Sequence, residues 1–140
     1  MQKVISAQNI NKSFKVGPEI VHVLKDVSIE LESSNISIII GPSGCGKSTL
    51  LHILLGLEKP DEGEVLINGN DIYSYEEGAM NRFRRKNIGM VYQHPNWVKS
   101  ISVLENVALP YIINGEDVLQ ARVKAKELIE ASKAGFEKES

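Results

Sequence analysis

The run GPSGCGKST at residues 41–49 constrains this chain more than any other feature of it. It has the spacing G-x-x-x-x-G-K-[ST], with an apolar run before it (Ile36, Ile38, Ile39, Ile40) and another after (Leu50, Leu51, Ile53, Leu54, Leu55, Leu57). That order predicts strand, glycine loop and helix, the context in which such a loop binds phosphate. Glycines at 41, 44 and 46 admit backbone angles closed to other residues, so main-chain N–H groups can converge on one anion. A helix beginning near Lys47 adds unpaired N–H groups and the positive end of its dipole. Lys47 can reach the β- and γ-phosphates, and the Ser48 hydroxyl can ligate Mg²⁺. A chance glycine-rich turn is the rival reading, and the complete spacing with both flanks leaves it little room. The ligand expected from these residues is a nucleoside triphosphate.

Composition sets the frame. A length of 140 residues fits one domain with a core. Hydrophobic content of 42% and charged content of 24% place the chain among soluble globular proteins. A net charge of −2 gives no reason to expect a nucleic-acid partner or an acidic membrane surface. Cys45 is the one cysteine, so no internal disulfide is expected and a reducing compartment is the simplest home. Residues 1–9 are too polar for a signal peptide. The most apolar window, residues 36–57, is broken by the glycine loop and Lys47, short of the about 20 apolar residues a span needs. Any link to a membrane is therefore expected through a partner.

Residues 3–14 and 20–31 read as β-strands, rich in β-branched types that largely alternate, with Gly17-Pro18 as the turn between them. They predict an antiparallel hairpin ahead of the loop. Residues 36–40 predict a short strand buried on both faces, as in a parallel sheet. The helix over 47–57 is apolar nearly all round, which predicts a sandwiched position. Residues 59–63 predict a turn, 64–68 a strand and 68–71 another turn. A charged helix follows over 75–86, whose Arg82, Arg84, Arg85 and Lys86 read as a solvated face. Residues 88–92 predict a strand, 93–97 a loop, 102–112 a helix disturbed near its end by Pro110, and 116–134 a last helix. The last helix carries a stripe of Val118, Ala121, Ala125, Leu128 and Ile129 at helical spacing.

Three segments around the loop narrow its superfamily. KSFKVGPEIVHVLKDVSIEL precedes it, LLHILLGLEKPDEGEVLINGNDI follows it, and FRRKNIGMVYQ ends in Gln93. Together these resemble the ATP-binding subunit of ABC transporters over residues 3 to about 115. VYQHPNWVKSISVLENVALPYIING is similar to the branch containing lipoprotein-releasing and macrolide-export ATPases. The resemblance implies an α/β fold: a P-loop NTPase-like partial parallel sheet with an N-terminal antiparallel β subdomain and helices. It implies one N-terminal portion of an ATPase domain over 1–140, divided as 1–34 (antiparallel β part), 35–93 (phosphate-loop core) and 94–140 (start of a helical subdomain).

The implied ligands are ATP and Mg²⁺. The resemblance puts the backbone of Gly41, Ser43, Gly44, Cys45, Gly46, Lys47, Ser48 and Thr49 around the phosphates, with Lys47 also catalytic. It puts Ser48 and Gln93 on Mg²⁺, Gln93 near the attacking water, and Phe14 against adenine. A ring face against a purine is physically reasonable, while an anchor for the hairpin is the plain alternative. Trp97 falls where a membrane-spanning subunit is expected to dock, and an interface or a packed pocket both suit it. Cys45 reads as a small filler or as a thiol activated by Lys47 and the helix start. His22, His52 and His94 lack metal-ligand spacing and read as structural. Implied partners are the membrane-spanning subunit and a second nucleotide-binding domain, with the chain cytoplasmic at the inner face of the membrane.

Past Gln93 there is no Ser-Gly-Gly signature and no apolar strand ending in Asp-Glu, since Gly115 and Gly135 have no glycine neighbour. The expectation is a truncated ATPase that binds ATP with little or no hydrolysis. The alternative is a nucleotide-binding module or remnant without catalysis. Uncovered sheet surface of about 400 Å² would cost on the order of 10 kcal/mol, which makes marginal stability the corresponding expectation.

Overall fold

The first element is a long β-hairpin. Strand β1 (Lys3–Val16) and strand β2 (Glu19–Glu32) run antiparallel, joined at Gly17-Pro18 with Gly17 at φ +61°. This computed structural model describes residues 2–93 and 96–137, with side chains as far as 132. It divides into two compact units, Met1–Gly89 and Met90–Ser140.

In the first unit, helix α1 (Lys47–Leu54) is followed by strand β3 (Glu62–Ile67) and the two-residue strand β4 (Asn70–Asp71). The sheet order is β2-β1-β3-β4, with every neighbour antiparallel. A 3-10 turn (Ile72–Ser74) leads to helix α2 (Glu77–Asn87). One sheet face supplies Ala7, Ile10, Leu24, Val65 and Ile67 to the core, and α1 adds Leu50, Ile53 and Leu54. The Tyr73 hydroxyl donates to the carbonyls of Ile53 (2.6 Å) and Glu58 (2.5 Å), closing the C-terminal end of α1. Burial pushes its pKa up, so the phenol keeps its proton.

Five expectations are corrected here. Residues 36–40 form neither strand nor helix, and Ile36, Ile38 and Ile40 are 96%, 78% and 87% exposed. A strand exists only as part of a ladder, and among the described residues none pairs with this segment, so it stays outside the described sheet. Residues 88–92 are likewise unpaired, with Val91 99% exposed. Helix α1 is half covered rather than sandwiched, since Leu51 and His52 stay exposed for want of a second layer. Gly63 lies within β3, not in a turn. The basic face of α2 is also only partly solvated. Arg84 Nη1 donates to the Gly56 carbonyl (2.9 Å) and Nη2 to Asn81 Oδ1, which fastens α2 to the end of α1.

The second unit is a helical hairpin of α3 (Val103–Ile113) and α4 (Val118–Glu137). Of the predicted stripe, Ala121 and Ala125 are fully buried against Ala108, while Val118 and Leu128 remain about half exposed. Small residues at the seam let the helices approach closely. Helix α3 runs three residues past Pro110 before Gly115 (φ +91°) ends it. Asp117 Oδ1 accepts from the N–H groups of Leu119 (2.9 Å) and Gln120 (3.2 Å), capping α4.

Ser102 and Glu105 form a reciprocal capping box at the start of α3, and Arg122 of α4 adds an ion pair to Glu105 at 2.6 Å. The Ser102 N–H above all, then its hydroxyl and Arg122, hold the Glu105 carboxyl below its ordinary value of 4.5. A carboxylate with a lowered folded pKa stabilises fully above the unfolded value and loses that contribution as pH falls through the folded one. Acidification below about 4.5 is therefore expected to erode helical ellipticity at 222 nm. Glu105→Gln should flatten that pH step, and an identical step in the variant would contradict the assignment.

Candidate functional site

Gly46 is where the hairpin and the loop meet. It caps α1 from φ +93° without a side-chain bond, and a Cβ there would stand 3.0 Å from Val23 Cγ1, Val23 O and Leu24 Cδ2 of β2. Only glycine satisfies both the angle and the approach. Gly44 is also left-handed, at φ +79°, and Cys45 between them is not. Alternation of this kind turns successive N–H groups towards one side and makes an anion-binding concavity.

Lys47 closes the loop. Its Nζ donates to the carbonyls of Gly41 (2.8 Å) and Pro42 (2.6 Å), tying the entry of the loop to the first turn of α1. A lysine ammonium has three donors, and among the described residues the third meets only the Cys45 sulfur at 3.8 Å. Sulfur is a weak acceptor, so that donor is readily given to a phosphate oxygen. Cys45 is exposed, Ser48 is exposed and Thr49 half-buried. Ser48, Lys47 and Leu51 line one side of a groove of about 370 Å³ whose other side is Ser37, Ile38 and Ile39. That volume lies within the range of small-molecule sites.

Phe14, on β1 opposite Val21, is 36% exposed. It lies two residues along β1 from Lys12, whose ladder partner Leu24 stands against Gly46 at the foot of the loop. Sequence reasoning missed Lys12. Its ammonium sits 5.2 Å from the Phe14 ring centroid, and the period of two in KSF was the available signal.

Gln93 and Trp97 belong to the second unit. Gln93 is exposed in a bend. Trp97 is 47% exposed and, with Val103, Val107, Leu128, Ile129 and Ser132, lines an apolar groove of about 330 Å³. The structure thus gathers residues 41–49 at the foot of the hairpin that carries Phe14, while Gln93 falls in the other unit. His22 Nδ1 lies 2.8 Å from Ser13 Oγ and His52 is exposed on α1, while His94 falls outside the described residues.

Comparison with known proteins follows this geometry. The family model described as ABC transporter matches residues 24–139. The chain is 41% identical over 125 residues to the lipoprotein-releasing system ATP-binding protein LolD of Paramagnetospirillum magneticum, covering 89% of this chain and 55% of the relative. It is 40% identical over 126 residues to the methionine import ATP-binding protein MetN of Latilactobacillus sakei, covering 90% of this chain and 36% of the relative. Among solved structures, the ATP-binding cassette MJ0796, a dimer bound to ADP and Pi, superposes with a TM-score of 0.83 at 34% identity. That match covers 92% of this chain and 57% of the cassette. The chain therefore spans about half the length of the LolD relative and of this cassette, and less of MetN. The fold is that of an ATP-binding cassette, an antiparallel N-terminal sheet with helices. With the family match running over residues 24–139, this chain belongs to the ABC transporter family.

Proposed function

We propose that this chain binds Mg²⁺–ATP through residues 41–49 and serves as the ATP-binding part of an ABC transporter subunit. One observation carries the reading. The Lys47 ammonium is fastened across a loop whose Gly44 and Gly46 adopt left-handed angles, which supports an anion-binding concavity at these residues. The residues present fit a triphosphate. The amides from 43 to 49 and the start of α1 receive the phosphates, and Lys47 transfers its third donor from Cys45 to a phosphate oxygen. Thr49 stands near the α-phosphate and the exposed ring of Phe14 receives adenine. Among the described residues no group of three His, Cys, Asp or Glu can hold a metal. Ser48, through its hydroxyl, and Gln93 are the residues that would hold Mg²⁺. The ion would supply charge neutralisation on the phosphate oxygens.

Turnover needs a second carboxylate for the metal and a group that activates water, and residues past Gln93 supply neither pattern. Loss of a general base alone costs roughly 10²–10⁴-fold. A chain of these 140 residues is thus a nucleotide-binding module with little or no hydrolysis. In a transporter it works with a membrane-spanning subunit and a second nucleotide-binding domain at the cytoplasmic face. Among the described residues no helix is long and apolar enough to cross a membrane. The relatives are named for lipoprotein release and for methionine import, so the shared residues serve the nucleotide rather than the cargo.

Calorimetric titration should show saturable binding of one ATP per chain, tighter with Mg²⁺ than without. Steady-state phosphate release should equal that of Lys47→Ala. Absence of binding at millimolar ATP would refute the site, and a rate lost in Lys47→Ala would refute the absence of turnover.

A further inference from the structure

Lys12 is a buried cation outside the phosphate loop, and its surroundings are built. Its Nζ donates to the Lys59 carbonyl (2.6 Å) and pairs with Glu58 (2.6 Å) and Asp61 (3.4 Å), all from the segment after α1. Asp61 also accepts the Ser13 N–H at 2.7 Å, so the two residues before Phe14 are both held by one short segment. Strand β1 shifts register between Lys12 and Ser13, which re-aims the side chains that follow. The ammonium also faces the Phe14 ring, 5.2 Å from its centroid. A cation that close to a ring is attracted to its face, which fixes the ring's orientation.

A tie between β1 and residues 58–61 alone would not place an ammonium over a ring. From this cluster we infer that Lys12 is a positioning residue for the nucleotide base: pinned by Glu58, Asp61 and the Lys59 carbonyl, it holds the Phe14 ring as a preset platform for a purine. The inference rests on the reading of Phe14 as the adenine contact. Two physical effects follow. Holding the ring before binding removes part of the entropy lost when the base stacks. The ammonium also draws electron density from the ring, which favours an electron-rich purine on the exposed face. The Glu58 hydrogen bond raises the Lys12 pKa despite burial, so the cation persists across the working pH range.

The test separates base from phosphate by titrating the full chain with Mg²⁺–ATP and with Mg²⁺–tripolyphosphate, which lacks a base. Lys12→Met is expected to weaken ATP about fivefold and leave tripolyphosphate unchanged, with Lys12→Arg restoring most of the loss. Phe14→Ala should produce the same selective loss, and the double variant should be no weaker than Phe14→Ala alone. If Lys12→Met does not melt cooperatively, Glu58→Gln combined with Asp61→Asn frees the cation from its anchors and should show the same selectivity. Equal loss for both ligands, no loss for either, or additivity with Phe14→Ala overturns the role of Lys12. If Phe14→Ala itself leaves the ratio of the two affinities unchanged, the adenine reading of Phe14 fails, and the inference with it.

Discussion

Lys47→Ala is expected to weaken ATP binding by a hundredfold or more, while the melting midpoint of the chain moves by at most about 5 °C. The first effect follows from charge. A hydrogen bond from an ionised donor is worth about 1.5–3 kcal/mol, and a triphosphate tail presents several acceptors within one ammonium's reach, so a loss near 3 kcal/mol is about 150-fold. The variant also releases the Gly41 and Pro42 carbonyls, so the loop must be closed at the moment of binding. The second effect follows from position. Lys47 contributes nothing to the core formed by Leu50, Ile53 and Leu54 on the same helix, and a surface loss of about 1 kcal/mol shifts a domain of this size by a few degrees. Calorimetric titration beside a thermal melt reads both. An ATP affinity within threefold of the parent protein would show that the loop is not the binding site.

Gly63→Ala should be the most destabilising small substitution in the first unit, by about 3–5 kcal/mol. Gly63 sits in β3 at φ +99°, where a Cβ would stand 2.5 Å from the Gln8 carbonyl oxygen and 2.6 Å from that of Asn9. Left-handed strain costs roughly 1–3 kcal/mol for a residue with a side chain, and the clash with rigid backbone adds about as much again. The neighbouring carbonyls cannot yield without loosening the β1–β3 pairing, whose register already shifts between Gln8 and Asn11. Gly69→Ala is the matched control, since Gly69 has φ +77° but nothing within 4 Å of its Cβ position. Its cost should be only about 1–2 kcal/mol, the backbone part alone. Denaturant midpoints of the two variants separate contact from conformation. Equal losses would mean that the approach of Gly63 to β1 is not what requires glycine.

Legibility in the sequence followed the distance over which each determinant acts. Both strands of the hairpin, the Gly17 turn, the helix α3 and the glycine loop were readable because each is set by neighbours within a few residues. Residues 36–40 and 88–92 were misread as strands for the opposite reason. Their apolar, β-branched composition states a capacity to pair, whereas pairing itself belongs to whichever segment lies alongside, and among the described residues none does. The same gap explains α1, whose all-round apolar surface suggested two covering layers where the sheet supplies one. Arg84 looked like one more charge on a solvated face, and the nearness of the Gly56 carbonyl was invisible without the turn at Tyr73.

The sequence by itself therefore determined the chemistry proposed to face the ligand: left-handed glycines, one lysine and one hydroxyl at fixed spacing, because a phosphate loop is made of main-chain atoms and adjacent side chains. Only the tertiary structure decided what surrounds that loop. It put Val23 and Leu24 under Gly46, brought residues 58–61 to Lys12 beneath the Phe14 ring, and set Gly63 against the carbonyls of β1. Those contacts join residues tens of positions apart, and their energies exist only once the chain has already brought them together.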